Sequence, residues 1–344
     1  MKRALYLDRA PGESRGVVTL DGRPERLLIQ RLDDLPRQRL GAVVVGRVRR
    51  VERALSSLFV DLGEGPDAVL PLSGAGSLAE GAAIEVEIAA EAYAEKGAVA
   101  RLLGVAEGLP RLARPAPALE AILETFAPGV AITGGDRARE AAEIAEASAL
   151  AVQHALPGGG SIAIETTRAL IAVDVDLGAA SGDARRRIRG VNHAAIEQAA
   201  RLLRLKALAG LVVVDLVGSG HDGAALTAAA KAAFAADEPG VSIGPISRFG
   251  LMQLVTPRRR RPVLDILCAS SGVPTSATVA LRMLRALERE GRADGGAHLI
   301  AECSPGVAEA AGPYIGAAAN SLGGRFEILT KSSSPPDHFE VTVR

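Results

Sequence analysis

The sequence predicts an α/β chain of mixed sheets and helices, with a small β-barrel set into it and a small α+β domain at its C-terminal end. Three observations carry that class. The run SIAIETTRALIAVDVDLG, Ser161 to Gly178, is answered by LVVVDLVG, Leu211 to Gly218, with a long amphipathic segment between them. From Gly41 to about residue 107 the text is a succession of short alternating strands with Gly-rich turns, the habit of a small closed barrel such as the OB-fold. After residue 275 a helix, a strand, a helix and two strands follow in order, which is an α+β pattern.

Length and charge limit the function. The 344 residues have room for two or three domains. Lys+Arg 40 against Asp+Glu 40 gives no global polycation, so any nucleic acid must be held by local patches. Two distant thiols, Cys268 and Cys303, no signal-peptide core near the start and apolar runs too short to span a bilayer lead to an expectation of a reduced, cytoplasmic protein without a membrane segment.

Taken in order, Ala4–Leu7, Gly16–Leu20 and Glu25–Gln30 read as strands, with DGRP at Asp21–Pro24 as a turn. In the barrel, Arg47 and Arg49 would share one face of an alternating strand as a basic wall. Phe59 and Lys96 would add a stacking platform and a phosphate contact, with plain core packing the alternative for Phe59. EGLPRLARPAP, residues 108–118, reads as a linker. A helix at 118–126, a strand at 129–133 and a helix at 136–155 with Asp136 as N-cap come next. Gly158–Gly160 precedes a strand and is therefore a turn rather than a phosphate loop.

Ser161–Thr166 and Ala169–Asp176 form a hairpin turned at Thr167-Arg168, followed by a polar loop at 178–182. A helix at 183–208, ended by Gly210, carries its apolar face at three- and four-residue steps. The following strand, 211–217, should lie parallel to the one at Val173 through a right-handed crossover. Asp174, Asp176 and Asp215 then gather at strand C-terminal ends, where sites in such sheets collect and where oxygen ligands would suit a hard cation. A helix at 222–237 and a strand at 241–246 precede ISRFGL. Arg248 in that stretch is a candidate fork for a phosphate, with a structural salt bridge as the alternative. Arg185–Arg187 with Arg189, and Arg258–Arg261, are candidate backbone contacts or solvated faces. The five histidines show no ligand spacing.

LFVDLG, EKGA, LPGGGSIAIETTRALIAVDVDLG, the helix and strand VNHAAIEQAARLLRLKALAGLVVVDLV, and ISRFGL together resemble the ribonuclease E/G family of bacterial endoribonucleases, over most of the chain to about Pro262. The resemblance implies an RNase-H-like subdomain (1–36 with 108–160), an inserted OB-type RNA-binding barrel (37–107) and a DNase-I-like catalytic subdomain (161–263). It further implies a zinc-linker region (264–275) and a small α+β domain (276–344). It makes Asp174 and Asp215 the ligands of Mg2+, with Mn2+ as a substitute, and Asp176 and Arg248 their neighbours in catalysis. Phe59, Lys96, Arg47, Arg49, Arg187 and Arg258 are then the expected contacts to single-stranded RNA.

The chain departs from the family pattern. Asp176 stands where members have Asn, and Val69 where they place a second stacking aromatic. The CxxC of the linker reads CASS, Cys268 to Ser271, so a structural zinc and a zinc-bridged dimer are not expected. No Arg-Thr loop for sensing a 5′-monophosphate is found, and the long C-terminal scaffold of some relatives is expected to be absent. The leading expectation is a magnesium-dependent endoribonuclease that leaves 5′-phosphates. The alternatives are an RNA-binding protein of the same fold without cleavage and a hydrolase of a small phosphate ester.

Overall fold

The computed structural model describes residues 2–74, 78–93, 96–178, 184–237 and 240–344. Three antiparallel strands open the chain, β1 (Arg3–Ala10), β2 (Glu13–Leu20) and β3 (Arg23–Arg31). They run longer than their apolar text because Asp8, Glu13, Arg15 and Glu25 lie inside them as buried, paired charges. Asp21 and Gly22 both take positive φ, 49° and 80°, the turn whose twist suits a two-residue hairpin.

The barrel strands are β4 (Val43–Glu52), β5 (Ser57–Asp61), β6 (Ala68–Pro71), β7 (Ala83–Ala90) and β8 (Val99–Val105). Pairing of β4 with both β7 and β5 closes them into a five-stranded ring around Val44, Val48, Leu58, Val60, Ile84 and Val86. A further strand, β9 (Arg111–Arg114), pairs with β4, so the segment expected as a linker carries part of the barrel sheet.

Helix α1 (Leu119–Phe126) covers one face of the first sheet, and β10 (Ile132–Thr133) pairs parallel with β1 to give the order β10-β1-β2-β3. Helix α2 (Gly135–Leu150) is shorter than expected, with Gly134 rather than Asp136 at its N-cap. Beyond it the chain extends as β11 (Gln153–Ala155), which pairs with β12 (Ser161–Thr166).

The hairpin partner is β13 (Ile171–Asp176), and the turn spans Thr167 to Leu170, where the Thr167 hydroxyl donates to the Leu170 carbonyl at 2.8 Å. The expected loop lies largely outside the described residues, as does Asp183 at the expected helix start. Helix α3 (Ala184–Leu205) ends not at Gly210 but at Ala207, whose φ of 53° permits the Leu208 N–H to reach the Leu203 carbonyl at 2.9 Å. Strand β14 (Gly210–Asp215), helix α4 (Gly223–Ala233), β15 (Ser242–Ile243) and β16 (Leu251–Thr256) complete a mixed sheet of order β11-β12-β13-β14-β16-β15. β16 lies in text to which the sequence assigned no strand, and β15 is shorter than expected. As expected, β13 and β14 are parallel neighbours.

Helices α2 and α3 lie between the first sheet and the mixed sheet, in one core that runs from Val17 and Leu27 through Ala142, Ala195 and Leu202 to Val173, Val212 and Met252. The other face of the mixed sheet turns toward solvent. A short helix α5 (Val263–Leu267) leads into a tight turn in which Ala269 N–H bonds the Val273 carbonyl at 2.8 Å.

The last unit has α6 (Ser276–Ala293), β17 (Leu299–Cys303), α7 (Pro305–Ala311), α8 (Ile315–Leu322), β18 (Phe326–Thr330) and β19 (Phe339–Val343). The sequence pattern has a single helix between β17 and the last two strands, but Pro313 lacks the N–H that the helix interior needs, and a turn of 3-10 helix separates α7 from α8. Among the described residues no helix is long and apolar enough to cross a membrane.

Candidate metal centre and nucleic-acid surface

The mixed sheet places the acids by strand periodicity. Along β13, Ile171, Val173 and Val175 point into the core, so Ala172, Asp174 and Asp176 share the open face. On β14, Val212 and Val214 are buried and Asp215 faces out. Asp174 and Asp215 are register partners on adjacent parallel strands, which sets their backbones ~4.8 Å apart at the carboxyl end of both. Among the described residues neither carboxylate accepts a hydrogen bond. Two exposed, unshared carboxylates side by side fit a small hard cation that keeps most of its own water, since magnesium is commonly held through one or two carboxylates.

Asp176 differs from that pair. Its Oδ1 accepts the Gly178 N–H at 2.9 Å, closing an Asx turn at the strand end. The glycine turn before β12 packs against it: a Cβ on Gly160 would lie 2.4 Å from the Asp176 carbonyl oxygen, and Gly160 has a φ of 82°.

The backbone beyond Asp215 is clamped. Asn192, buried on α3, accepts the Val217 N–H and donates to the Val217 carbonyl, both at 3.0 Å. The Gly250 carbonyl accepts the Leu216 N–H at 3.3 Å, which brings the ISRFGL turn to the same end of the sheet. Within that turn the Ser247 hydroxyl accepts the N–H groups of Phe249 and Leu251. Arg248 is exposed, stacks 4.7 Å from the ring of Phe249 and meets no carboxylate among the described residues. The crossover from β13 to β14 also starts α3 at this end, so its first turns, with half-buried Arg187, stand beside the acids.

The barrel residues form a second group. Phe59 lies on the outside of β5, half-buried, while Leu58 and Val60 fill the core. Its ring carries the Arg50 guanidinium at 4.4 Å and pairs across to Val69. Arg47 and Arg49 are both exposed with Val48 buried between them, as the alternation expects, and a bulge between Val48 and Arg50 leaves Arg50 exposed as well. Arg49 ion-pairs with Asp61 at 2.9 Å and Asp67 at 3.5 Å, and Arg47 donates to the Gly81 and Gly108 carbonyls at 3.0 and 3.4 Å.

Lys96 is exposed beside Tyr93, 5.6 Å from its ring, with the Arg258 guanidinium 4.9 Å from the same ring. Arg258 itself donates to the Glu91 and Gly97 carbonyls at 3.0 and 2.6 Å and so ties the barrel to the mixed sheet. That tie sits beyond Thr256, whereas Asp215 faces Leu251 at the other end of β16. Five strand steps separate them, roughly 17 Å. Asp174, Asp176 and Asp215 therefore share one end of the mixed sheet with the turn that carries Arg248 and with the start of the helix that carries Arg187, whereas Phe59, Lys96, Arg47 and Arg49 lie on the barrel and Arg258 at its tie to the far end of the sheet. Sequence reading missed Tyr93 and Asn192, and placed Arg50 beside the first barrel hairpin without its stack on Phe59. The doubled Arg49-Arg50 was a signal for a bulge, while the Asn192 clamp is visible only in three dimensions.

Cys268 is buried and burial pushes its thiol pKa up, while Ser271 is exposed. Among the described residues no group of three or more His, Cys, Asp or Glu is placed to hold a metal, so zinc has no visible ligand set there.

The Ribonuclease E/G family model matches residues 133–261, a span that contains the whole acid centre. Ribonuclease E of Escherichia coli (strain K12) is 33% identical over 147 residues, covering 39% of this chain and 14% of that protein. The chloroplastic Ribonuclease E/G-like protein of Arabidopsis thaliana is 32% identical over 139 residues, with the same coverage of 39% and 14%. Ribonuclease G of Salmonella typhimurium (strain SL1344) is 28% identical over 166 residues, 45% of this chain and 34% of that protein. The chain thus spans between about a seventh and a third of the relatives it matches.

Proposed function

We propose that this chain, whose residues 133–261 match the Ribonuclease E/G family model, is a magnesium-dependent endoribonuclease of that family acting on single-stranded RNA. The observation that carries the reading is the register pair Asp174 and Asp215, two exposed carboxylates on neighbouring strand ends. A magnesium ion held by them would supply a more acidic water and charge neutralisation at the phosphate. Arg248, exposed and without a carboxylate partner among the described residues, would hold a non-bridging phosphate oxygen through its planar fork. The closed barrel supports an OB-type RNA-binding role, with the Arg50–Phe59 stack as a surface on which a base can lie. The strand order β10-β1-β2-β3 supports an RNase-H-like reading of the first sheet. Absence of 5′-monophosphate sensing and a cytoplasmic location belong to the same proposal.

A labelled single-stranded RNA incubated with the full chain should be cut when magnesium is present and remain intact in EDTA. Binding without cutting under any divalent metal would leave the RNA-binding alternative standing. Two further outcomes are expected. Asp176→Asn should cleave within a few-fold of the parent, since an amide oxygen accepts the Gly178 N–H as the carboxylate does; a loss comparable to that of Asp174→Asn would instead make Asp176 a metal ligand. Asn192→Ala should raise the magnesium concentration for half-maximal cleavage by roughly tenfold, because groups that orient a ligand's backbone tune metal affinity on that scale. An unchanged magnesium titration would reduce Asn192 to a purely structural clamp.

A further inference from the structure

We propose that the cationic cluster where the β2–β3 hairpin meets α3 binds inorganic phosphate. This does not rest on the nuclease reading, and the cluster lies toward the C-terminal end of α3, away from the end at which that helix stands beside the acids. Arg23, exposed at the start of β3, and Arg201, buried on α3, both donate to one neutral oxygen, the Oε1 of Gln198, at 3.1 and 3.0 Å. A second pair repeats the pattern. The Lys206 Nζ and the Nε2 of His154 meet at one carbonyl, that of Ala151, at 2.5 and 3.1 Å. Arg201 also donates to the Pro24 carbonyl, and Lys206 to the Ala149 carbonyl at 2.7 Å.

What the cluster lacks is a carboxylate. Among the described residues none of Arg23, Arg201 and Lys206 forms an ion pair, although Arg201 is only 9% exposed and Lys206 7%. The acid felt by Arg201 is Glu25, whose two oxygens are already taken by Arg3 at 3.2 Å and Arg204 at 3.3 Å. The cations act on one another instead. Burial, followed by Arg23 and Arg204, lowers the pKa of Arg201 to about 10, and burial with Arg201 lowers that of Lys206 to about 8. Burial and Lys206 likewise lower the pKa of His154. A buried charge is costly unless it is compensated, and the acceptors here are neutral amides that leave the charge in place. Donors also remain: the Nη2 of Arg201 and the Nε2 of Gln198 make no hydrogen bond among the described residues, and Arg23 uses only its Nη2. A tetrahedral dianion seated beside Gln198 would meet two guanidiniums and an amide N–H, charge-assisted bonds from both the hairpin and the helix.

The test is calorimetric titration of the full chain with inorganic phosphate, in EDTA and at constant ionic strength set by chloride, alone and beside a saturating short single-stranded RNA without terminal phosphates. Saturable binding that the RNA does not displace is the expected pattern. Arg23→Ala, a change at an exposed side chain, should weaken phosphate about tenfold, the loss of one hydrogen bond to a charged group. Gln198→Glu, which sets a carboxylate between the two arginines, should abolish binding, and Arg289→Ala on α6 should leave it unchanged. The proposal is overturned if phosphate does not saturate by about 10 mM, if Arg23→Ala binds like the parent, or if a folded Gln198→Glu chain still binds. Displacement of phosphate by the RNA would overturn it too, since the cluster would then be a contact to the RNA backbone.

Discussion

Asp215→Asn is expected to cleave RNA about a thousandfold more slowly than the parent, and Asp174→Asn likewise. Each change removes one of the two charges available to a divalent cation, and a loss of ~4 kcal/mol in transition-state stabilisation corresponds to three decades in rate. The fold should not notice. Both side chains are exposed at strand ends and accept no hydrogen bond among the described residues, so the unfolding free energy from urea denaturation should change by no more than ~0.5 kcal/mol. Single-turnover cleavage of a labelled RNA beside a denaturation curve separates the two effects. Parent-like rates in both variants would remove the acid pair from catalysis, and with it the nuclease reading.

The second large effect is on stability. Glu146→Gln is expected to destabilise the chain by about 3–5 kcal/mol, because it takes the charge from a carboxylate on which Arg15, Arg282 and Arg285 converge in a buried setting. Burial raises the pKa of Glu146, but Arg285, Arg282 and Arg15 outweigh it and hold the carboxyl below its ordinary value. A carboxyl with a depressed folded pKa adds stability that is present above its unfolded value, near 4.5, and is lost as pH falls through the folded one. The parent should therefore lose stability below about pH 4.5 in part through this group, and Glu146→Gln should lack that component. Denaturant midpoints from pH 7 down to pH 3 measure it; parallel curves for the two proteins would show that Glu146 is not responsible.

What the sequence made legible follows from where local pattern and tertiary packing agree. The strand–helix–strand unit was readable because β13 and β14 are apolar toward α3 and end on acids, so period and position coincide. The first three strands were read short because buried pairs such as Asp8 with Arg15 and Glu13 with Arg285 resemble solvated residues in one dimension. Strand β16 was overlooked because Gln253, on the open face, interrupts a run too short to declare a period. For the site, the sequence located Asp174 and Asp215 but not their different bonding from Asp176, which depends on the turn at Gly178. On the barrel it placed Arg47 and Arg49 on one surface but missed that Asp61 and Asp67 occupy Arg49, and that a bulge turns Arg50 onto Phe59.

The bond from Arg258 to the Glu91 and Gly97 carbonyls fastens the barrel to the end of the mixed sheet opposite the acids. Under the proposed function this fastening acts as a ruler. An RNA that is to be gripped by the barrel and cut at Asp174 and Asp215 must be long enough to traverse the sheet, so cutting efficiency should fall sharply below a threshold length. Fragments shorter than that threshold would lose their grip as soon as they form, which turns a fixed distance in the fold into a limit on how far degradation by this protein proceeds.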